Sequence, residues 1–392
     1  MGKLLRVAAL GLAALIILSG CADGTTGSDE QTVTVWAYPT ISDDARHKEL
    51  WANLVSRFNE TNPEVKIDIE IFPWAKRDEA LQTAITSDTA PDLVYLVPDQ
   101  LSSYEASIEP MNTYLGQDRR NTLLPNVAQA VTAGDRLLGA PMLISSNPLV
   151  CSATAFRAAG VMTYPSTWED VTEMAPRFTE KGMYALTYSA DPGQTLNMSF
   201  YPLLWQAGGS VFDADEQIAF NSPQGVRALE FLTALARGNA LEPDSLTTAL
   251  NTEQTEFAAG RSGCTWSIPA VDLAPVLGEE NVVVLPPLTD EQSVAYGTVG
   301  SLSLLKGSRN KEAAGRFAAF VTDPVNSIDY LQAGGYFSPA AGTTPLYASS
   351  PLQSRVEQTL PTVRFGEQNH AARQVMGVLS PEIQAALLGQ KS

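Results

Sequence analysis

Thr32-Val33-Thr34-Val35-Trp36 alternates polar and apolar side chains with the period of two that marks a strand. From about Asp43 to Glu60 the spacing changes. Leu50, Trp51, Leu54, Val55 and Phe58 fall on one helical face, and Asn62-Pro63 stops the run. Val65 to Phe72 alternates again, Lys76 to Thr86 reads as a second helix, and Asp92 to Val97 is a short, mostly apolar strand. Strand–helix–strand–helix–strand over so few residues is the signature of a parallel sheet covered by helices. The fold class is therefore α/β.

Upstream of this stretch, Ala22 to Gln31 is rich in Gly, Thr and acids and nearly free of apolar residues, so residues 21–31 read as a flexible tether. Before it, Lys3 and Arg6 precede an apolar run from Val7 to Leu18, followed by Ser19-Gly20-Cys21. A cationic start, a short apolar core and small residues before a cut describe an export signal over residues 1–20. The run is too short to span a bilayer, which takes roughly 20 apolar residues. Leu18-Ser19-Gly20-Cys21 resembles the lipobox of bacterial lipoproteins, which implies that Cys21 is acylated and becomes the mature N-terminus. The expected location is extracytoplasmic, with the body held to the cell membrane by that lipid alone.

Downstream, a second α/β region starts near Ser145. Leu149-Val150-Cys151 is apolar, and Thr154 to Ala159 reads as a short helix. Ser166-Thr167-Trp168-Glu169-Asp170 opens another helix with capping-box spacing. Ser222-Pro223 starts a further one, Val282 to Leu285 is a strand ended by Pro286-Pro287, and Glu312 to Val321 is amphipathic.

Composition narrows the function. The formal charge is −18, and loss of Lys3 and Arg6 with the signal brings the body near −20. Such a field repels phosphate backbones and argues against a nucleic-acid partner. The two histidines, His47 and His370, lie far apart, so no metal site is expected from them, and no cofactor motif occurs. With Cys21 assigned to lipid, Cys151 and Cys264 remain. They are either bridged in an oxidising compartment or separately buried as small apolar side chains.

The order of elements resembles the bacterial extracellular solute-binding proteins of ABC importers, in the sugar-binding group that includes the maltodextrin receptors. The segments that carry the resemblance are Val33-Thr34-Val35-Trp36, Phe58-Asn59-Glu60 through Pro63, Pro91-Asp92-Leu93-Val94, Pro165 to Asp170, Trp205-Gln206-Ala207-Gly208-Gly209, Phe257 to Arg261, and Lys306 to Ala314. Each alone is weak; their common order covers residues 32–389. The resemblance implies a two-lobed periplasmic-binding-protein-like fold, each lobe a helix-flanked sheet, with the ligand cleft between lobes. The first lobe would take 32–144 and 288–335, and the second 148–284 and 338–392. Crossings near Ser145–Asn147, Leu285–Pro287 and Tyr336–Phe337 would serve as hinges.

A sugar site needs flat aromatic surface and side chains that pair with hydroxyls, beyond the carboxyl ends of the strands. Trp36 and Tyr38 follow the first strand, Trp74 the second, and Asp99 and Gln100 the third. At the last two positions the maltodextrin receptors carry an acid and a base; Asp99 matches and Gln100 departs. Ser145 and Asn147 occupy the first crossing, where the family is often acidic. The second lobe offers Asn197, Trp205 and Trp266, with Trp205 reading equally as core within an apolar helical run. Ile268-Pro269-Ala270 stands where the family has Gly-Pro-Trp, so that stacking ring is absent. Tyr296, Gly300, Tyr336 and Ser338 lie near the later crossings, with Gly300 a place for close backbone approach. Glu367 and Asn369 fall near a family aromatic position, at which this chain has no ring. Arg373, Trp51 and Trp168 read as structural.

The expected function is that of a lipid-anchored, monomeric receptor. It captures a carbohydrate by lobe closure, passes it to ABC permease subunits and performs no chemistry on it. A same-fold receptor for a polyamine, peptide or metal chelate is the rival on substrate, since the body is acidic. An exported glycosidase needs two facing carboxylates. Asp99 and Glu367 could be cast in that role, though nothing in the sequence pairs them.

Overall fold

The computed structural model describes residues 31–343 and 345–392. The expected signal, Cys21 and the tether before Gln31 lie outside the described residues. Gln31 itself, expected in the tether, already belongs to the first strand.

That strand, β1 (Gln31–Ala37), lies between β2 (Val65–Ile71) and β3 (Leu93–Leu96) and is parallel to both. Val33, Val35 and Ala37 are fully buried, whereas Thr34 and Trp36 on the alternate positions are half-buried. Between the strands run α1 (Asp44–Asn59) and α2 (Arg77–Thr86), and α3 (Pro98–Tyr104) follows β3. Asp43 caps α1 by accepting from the backbone of Ala45 and Arg46, and Leu50, Trp51, Leu54 and Phe58 form its buried face. Asp92 fastens this half of the sheet: its carboxylate accepts from the Thr34 N–H at 2.8 Å, the Thr34 hydroxyl at 3.0 Å and the Ser308 hydroxyl.

β1 to β3 are mutually parallel, as their order predicts, and the strands that join them from later in the chain make the sheet mixed. Beside β3, and antiparallel to it, runs the strand Val299–Leu305, with β4 (Ile108–Glu109) and Ala140–Ile144 both antiparallel to that strand. Every residue of Val299–Leu305 is buried. A second sheet has the order Val282–Leu285, Leu149–Ser152, Ser262–Thr265, Tyr184–Leu186. There Cys151 and Cys264 stand in register on neighbouring antiparallel strands, with their sulfurs 2.00 Å apart.

Two cores result. One surrounds the first sheet and runs on to Val150, Val282 and Val284 on one face of the second, and the other collects Phe156, Phe178, Tyr201, Trp205 and their neighbours on the second sheet's other face. Trp51 and Trp168 are both buried packing residues; Trp168 stacks on Phe231 with ring centroids 4.7 Å apart.

Two lobe boundaries differ from expectation. Residues 288–296 do not join the first lobe. Thr289 bridges to Thr167, Gln206 donates to the Val294 carbonyl, and Arg227 pairs with Asp290 and Glu291. The crossing falls later, where the Asn147 and Ser145 N–H groups donate to the Tyr296 and Thr298 carbonyls. The chain also stays on the first lobe past Phe337: Phe337 pairs with Ile144, and Ala340 with Leu123. In both places docked loops decide membership, and loops carry no periodicity to read.

A buried polar knot ties α1 to this lobe. His47 is fully buried, its Nε2 accepts from the Trp51 indole at 3.0 Å, and the Tyr330 hydroxyl lies 2.8 Å away. Burial pushes the His47 pKa down to about 4, against a smaller opposing pull from Asp44. The unfolded chain therefore takes up this proton first. Stability is expected to fall by about 2–3 kcal/mol between pH 7 and pH 4.5 from this residue. Denaturant titrations at the two pH values check it, and His47→Gln should remove that part of the slope.

Candidate ligand-binding cleft

The loops at the carboxyl ends of β1, β2 and β3 bring Tyr38, Trp74 and Asp99 to one edge of the first sheet. Tyr38 and Trp74 stack with centroids 5.2 Å apart and planes 20° apart, and Tyr95 meets each edge-on at 6.3 Å. The Trp74 indole donates to the Pro39 carbonyl at 3.0 Å, which fixes the ring while 40 % of the residue stays exposed. The Arg77 guanidinium, from the first turn of α2, sits 4.6 Å from the Trp74 centroid and 5.7 Å from that of Tyr38. These are cation–π distances.

Asp99 is 1 % exposed. One oxygen accepts the Gln100 N–H at 3.0 Å. The other faces the second lobe, with Arg373 Nε at 3.2 Å and the Asn197 amide donating at 3.4 Å. Arg373 also reaches to 3.6 Å from Asp78, which is held in turn by the Gln100 amide at 2.7 Å. Beside them Trp205 donates its indole N–H to Glu367 at 3.0 Å, and Arg364 pairs with Glu367 while lying 4.8 Å over the Trp205 ring.

One electrostatic neighbourhood links these groups. Burial pushes the Tyr38 hydroxyl up to about 12, partly offset by Arg77. Burial, and then Asp99, takes Tyr296 up to about 12. Tyr201 is raised by burial and by Glu367 and Asp99, and Glu367 is raised by burial against Arg364. Burial pulls the Arg373 guanidinium downward, but Asp99 and Asp78 hold it above its ordinary value. The phenols thus stay neutral donors and acceptors. Tyr38 Oη, Tyr201 Oη and Asn197 Oδ1 are buried with no hydrogen-bond partner. Each such atom costs about 1–3 kcal/mol unless something pairs with it.

Of the residues singled out in the sequence, Tyr38, Trp74, Asp99, Asn197, Trp205, Tyr296 and Glu367 share this neighbourhood. Others are engaged elsewhere. Trp36 packs on Phe72 at 4.1 Å. Gln100 is fully buried and spends its side chain on Asp78 and the Val97 N–H. Gly300 admits no ligand, because a Cβ there would lie 2.0 Å from the Tyr95 hydroxyl; it is glycine to seat that ring. Tyr336 donates to the Thr40 carbonyl, and Ser338 closes a turn with Ala340. Trp266 is core, donating to the Ser199 carbonyl and meeting Tyr188 edge-on. Ser145 accepts from the Thr298 N–H, and Asn147 donates to the Trp266 carbonyl, so both brace the crossing. Asn369 caps its own turn and lines a separate recess of about 170 Å³ with Ser102, Glu105 and His370.

Arg77, Asp78, Tyr201, Arg364 and Arg373 were not expected here. Tyr201 had a readable signal, lying one helical turn before Trp205 and so on its face. Arg373 had none, because its partners are supplied by the other lobe. Among the described residues no three His, Cys, Asp or Glu side chains gather to hold a metal, and no helix is long and apolar enough to cross a membrane.

Comparison with known proteins agrees with this architecture. A putative binding protein of Brucella abortus is 19% identical over 390 residues, covering 97% of this chain and 93% of that one. An uncharacterised lipoprotein of Streptomyces antibioticus is 26% identical over 222 residues, which is 54% of this chain and 47% of that one. The GacH receptor of Streptomyces glaucescens, solved unliganded and with acarbose, superposes with a TM-score of 0.80 at 19% identity. That match covers 93% of this chain and 94% of the receptor. The family model described as bacterial extracellular solute-binding protein matches residues 44–327, most of the chain. By fold and by sequence, the chain belongs to the bacterial extracellular solute-binding proteins.

Proposed function

We propose that the protein is the lipid-anchored, monomeric substrate-binding component of an ABC importer. It takes an uncharged saccharide into the cleft between its lobes, presents it to the permease and leaves it chemically unchanged. The observation that carries this reading is the set of unpartnered buried atoms: Asn197 Oδ1 and Tyr201 Oη beside Asp99, and Tyr38 Oη in the Tyr38–Trp74 stack. Hydroxyls on a sugar's edge satisfy such atoms, and the C–H face of its ring suits an indole. The acarbose complex of the Streptomyces glaucescens receptor supports the same ligand class. Asp99 and Glu367 are each tied to a guanidinium and a further donor, which suits holding a ligand better than trading protons with one. Leu18-Ser19-Gly20-Cys21 supports the anchor.

Calorimetry of the mature protein against neutral mono- and oligosaccharides, with spermidine and a dipeptide alongside, tests this. A saccharide should bind, and Trp74→Ala should weaken it about tenfold, roughly one stacked ring's 1–1.5 kcal/mol. Because Trp74 lies at the rim with 40 % of its surface exposed and outside the core, the variant should keep its fold. Heat from spermidine alone would transfer the site to a cation receptor.

A further inference from the structure

Arg77 is the first residue of α2, and Lys76 before it holds the left-handed conformation at φ +60°, uncommon for a residue that carries a Cβ. The half-buried Arg77 places its guanidinium 4.6 Å from the Trp74 centroid and 5.7 Å from that of Tyr38, and the two rings are 5.2 Å from each other. Those three distances form a near-equilateral triangle. The cation therefore stands beside the aromatic pair and not across the indole from Tyr38. Its flat face is held by the rings. Its edge is not: among the described residues the Arg77 side chain forms no ion pair and no hydrogen bond. An arginine carries five N–H donors and no acceptor.

The neighbouring groups are already engaged. Asp99 accepts the Gln100 N–H and the Asn197 amide and lies 3.2 Å from Arg373 Nε, while Asp78 accepts the Gln100 amide at 2.7 Å. Burial and then repulsion by Arg373 lower the Arg77 pKa, and Asp78 and Asp99 pull the other way without overcoming them. Arg77 and Arg373 against Asp78 and Asp99 sum to zero charge. What this corner of the cleft lacks is acceptor oxygens, not a counter-charge. A neutral hydroxyl brings lone pairs, whereas an ammonium brings only donors and a further cation. Two adjacent ring hydroxyls offer their oxygens side by side, and the planar arginine fork suits paired acceptors.

We infer that Arg77 is the specificity-determining residue of this cleft: the edge of its guanidinium donates to two adjacent hydroxyls of the saccharide ring seated at Trp74, and it turns away a sugar that carries an amine in their place. This rests on the saccharide reading of the site and adds to it which edge of the sugar is read.

Calorimetry of the mature protein tests it, with glucose, galactose, mannose and maltose and the monodeoxy and amino-deoxy forms of each as probes. For a parent sugar that the wild type binds, Arg77→Met should weaken binding on the order of a hundredfold, the loss of two hydrogen bonds to a charged donor. Arg77→Lys keeps the charge without the fork and should recover only about tenfold of this. Removing either of the two hydroxyls should weaken wild-type binding roughly tenfold and leave Arg77→Met binding as it was, since the partner is already gone. The amino-deoxy sugar should be refused by the wild type. Arg77→Met should bind it more tightly than the parent sugar, because Asp78 and Asp99 then face Arg373 alone. Circular dichroism confirms the fold of each variant, and the deoxy and amino-deoxy series on the wild type needs no variant. Equal affinity of Arg77→Met and wild type for the parent sugar overturns the inference and leaves the saccharide reading standing. So does wild-type binding of every amino-deoxy sugar as tight as that of its parent. If no neutral saccharide binds the wild type, the functional reading itself fails, and this inference falls with it.

Discussion

Asp99→Ala should lower saccharide affinity about a hundredfold and cost the ligand-free protein about 3–5 kcal/mol of stability. The two losses have different causes. The first is the loss of hydrogen bonds to a charged acceptor, worth about 1.5–3 kcal/mol each to a ligand hydroxyl. The second is the Arg373 guanidinium, left 19 % exposed with its nearer carboxylate gone, and breaking one side of a buried pair is strongly destabilising. Asp99→Asn keeps an acceptor and most of the volume, so it should lose affinity less and stability by a smaller amount. Calorimetry reads the first effect and denaturant unfolding the second. Unchanged affinity in Asp99→Ala would remove this residue from the site.

Removing the bridge between Cys151 and Cys264 should cost about 2–5 kcal/mol. The bond closes 113 residues of chain, and it joins the two middle strands of the second sheet. In the chain-entropy account most of this cost appears in the unfolded ensemble, which regains freedom. The pair of substitutions Cys151→Ala and Cys264→Ala should therefore match the effect of reductant on the wild type. Two titratable thiols in the unfolded, unreduced protein, or a melting curve indifferent to reductant, would contradict the bond.

The α/β class was legible because its elements announce themselves at short range. The alternation of residues 32–36, the stripe Leu50, Trp51, Leu54, Phe58 and the Thr167–Asp170 capping box each correspond to an element of the structure. The placement of Val299–Leu305 was not legible. Buried on both faces, that strand has no alternation to show, and its partners lie some two hundred residues upstream. The site divides in the same way. Tyr38, Trp74 and Asp99 follow strands whose ends could be located, and strand ends are where such ligands gather. Arg373 stands within a helix and means nothing until Asp99 is placed opposite it. Gly300 illustrates the reverse error: a glycine read for a ligand's benefit makes room for Tyr95.

The position of Val299–Leu305 also governs the order in which the chain can mature. This strand covers the outer edge of β3 and is the partner of both β4 and Ala140–Ile144, yet all the strands of the second sheet precede it in the sequence. As a polypeptide emerges from the ribosome or crosses a membrane amino end first, β1 to β3 must wait, with a bare edge, until residue 305 arrives. The carboxyl-proximal sheet has no such debt and can close while the earlier one is still a fragment. The amino-terminal strands thus have no complete partner until more than three quarters of the polypeptide has been made.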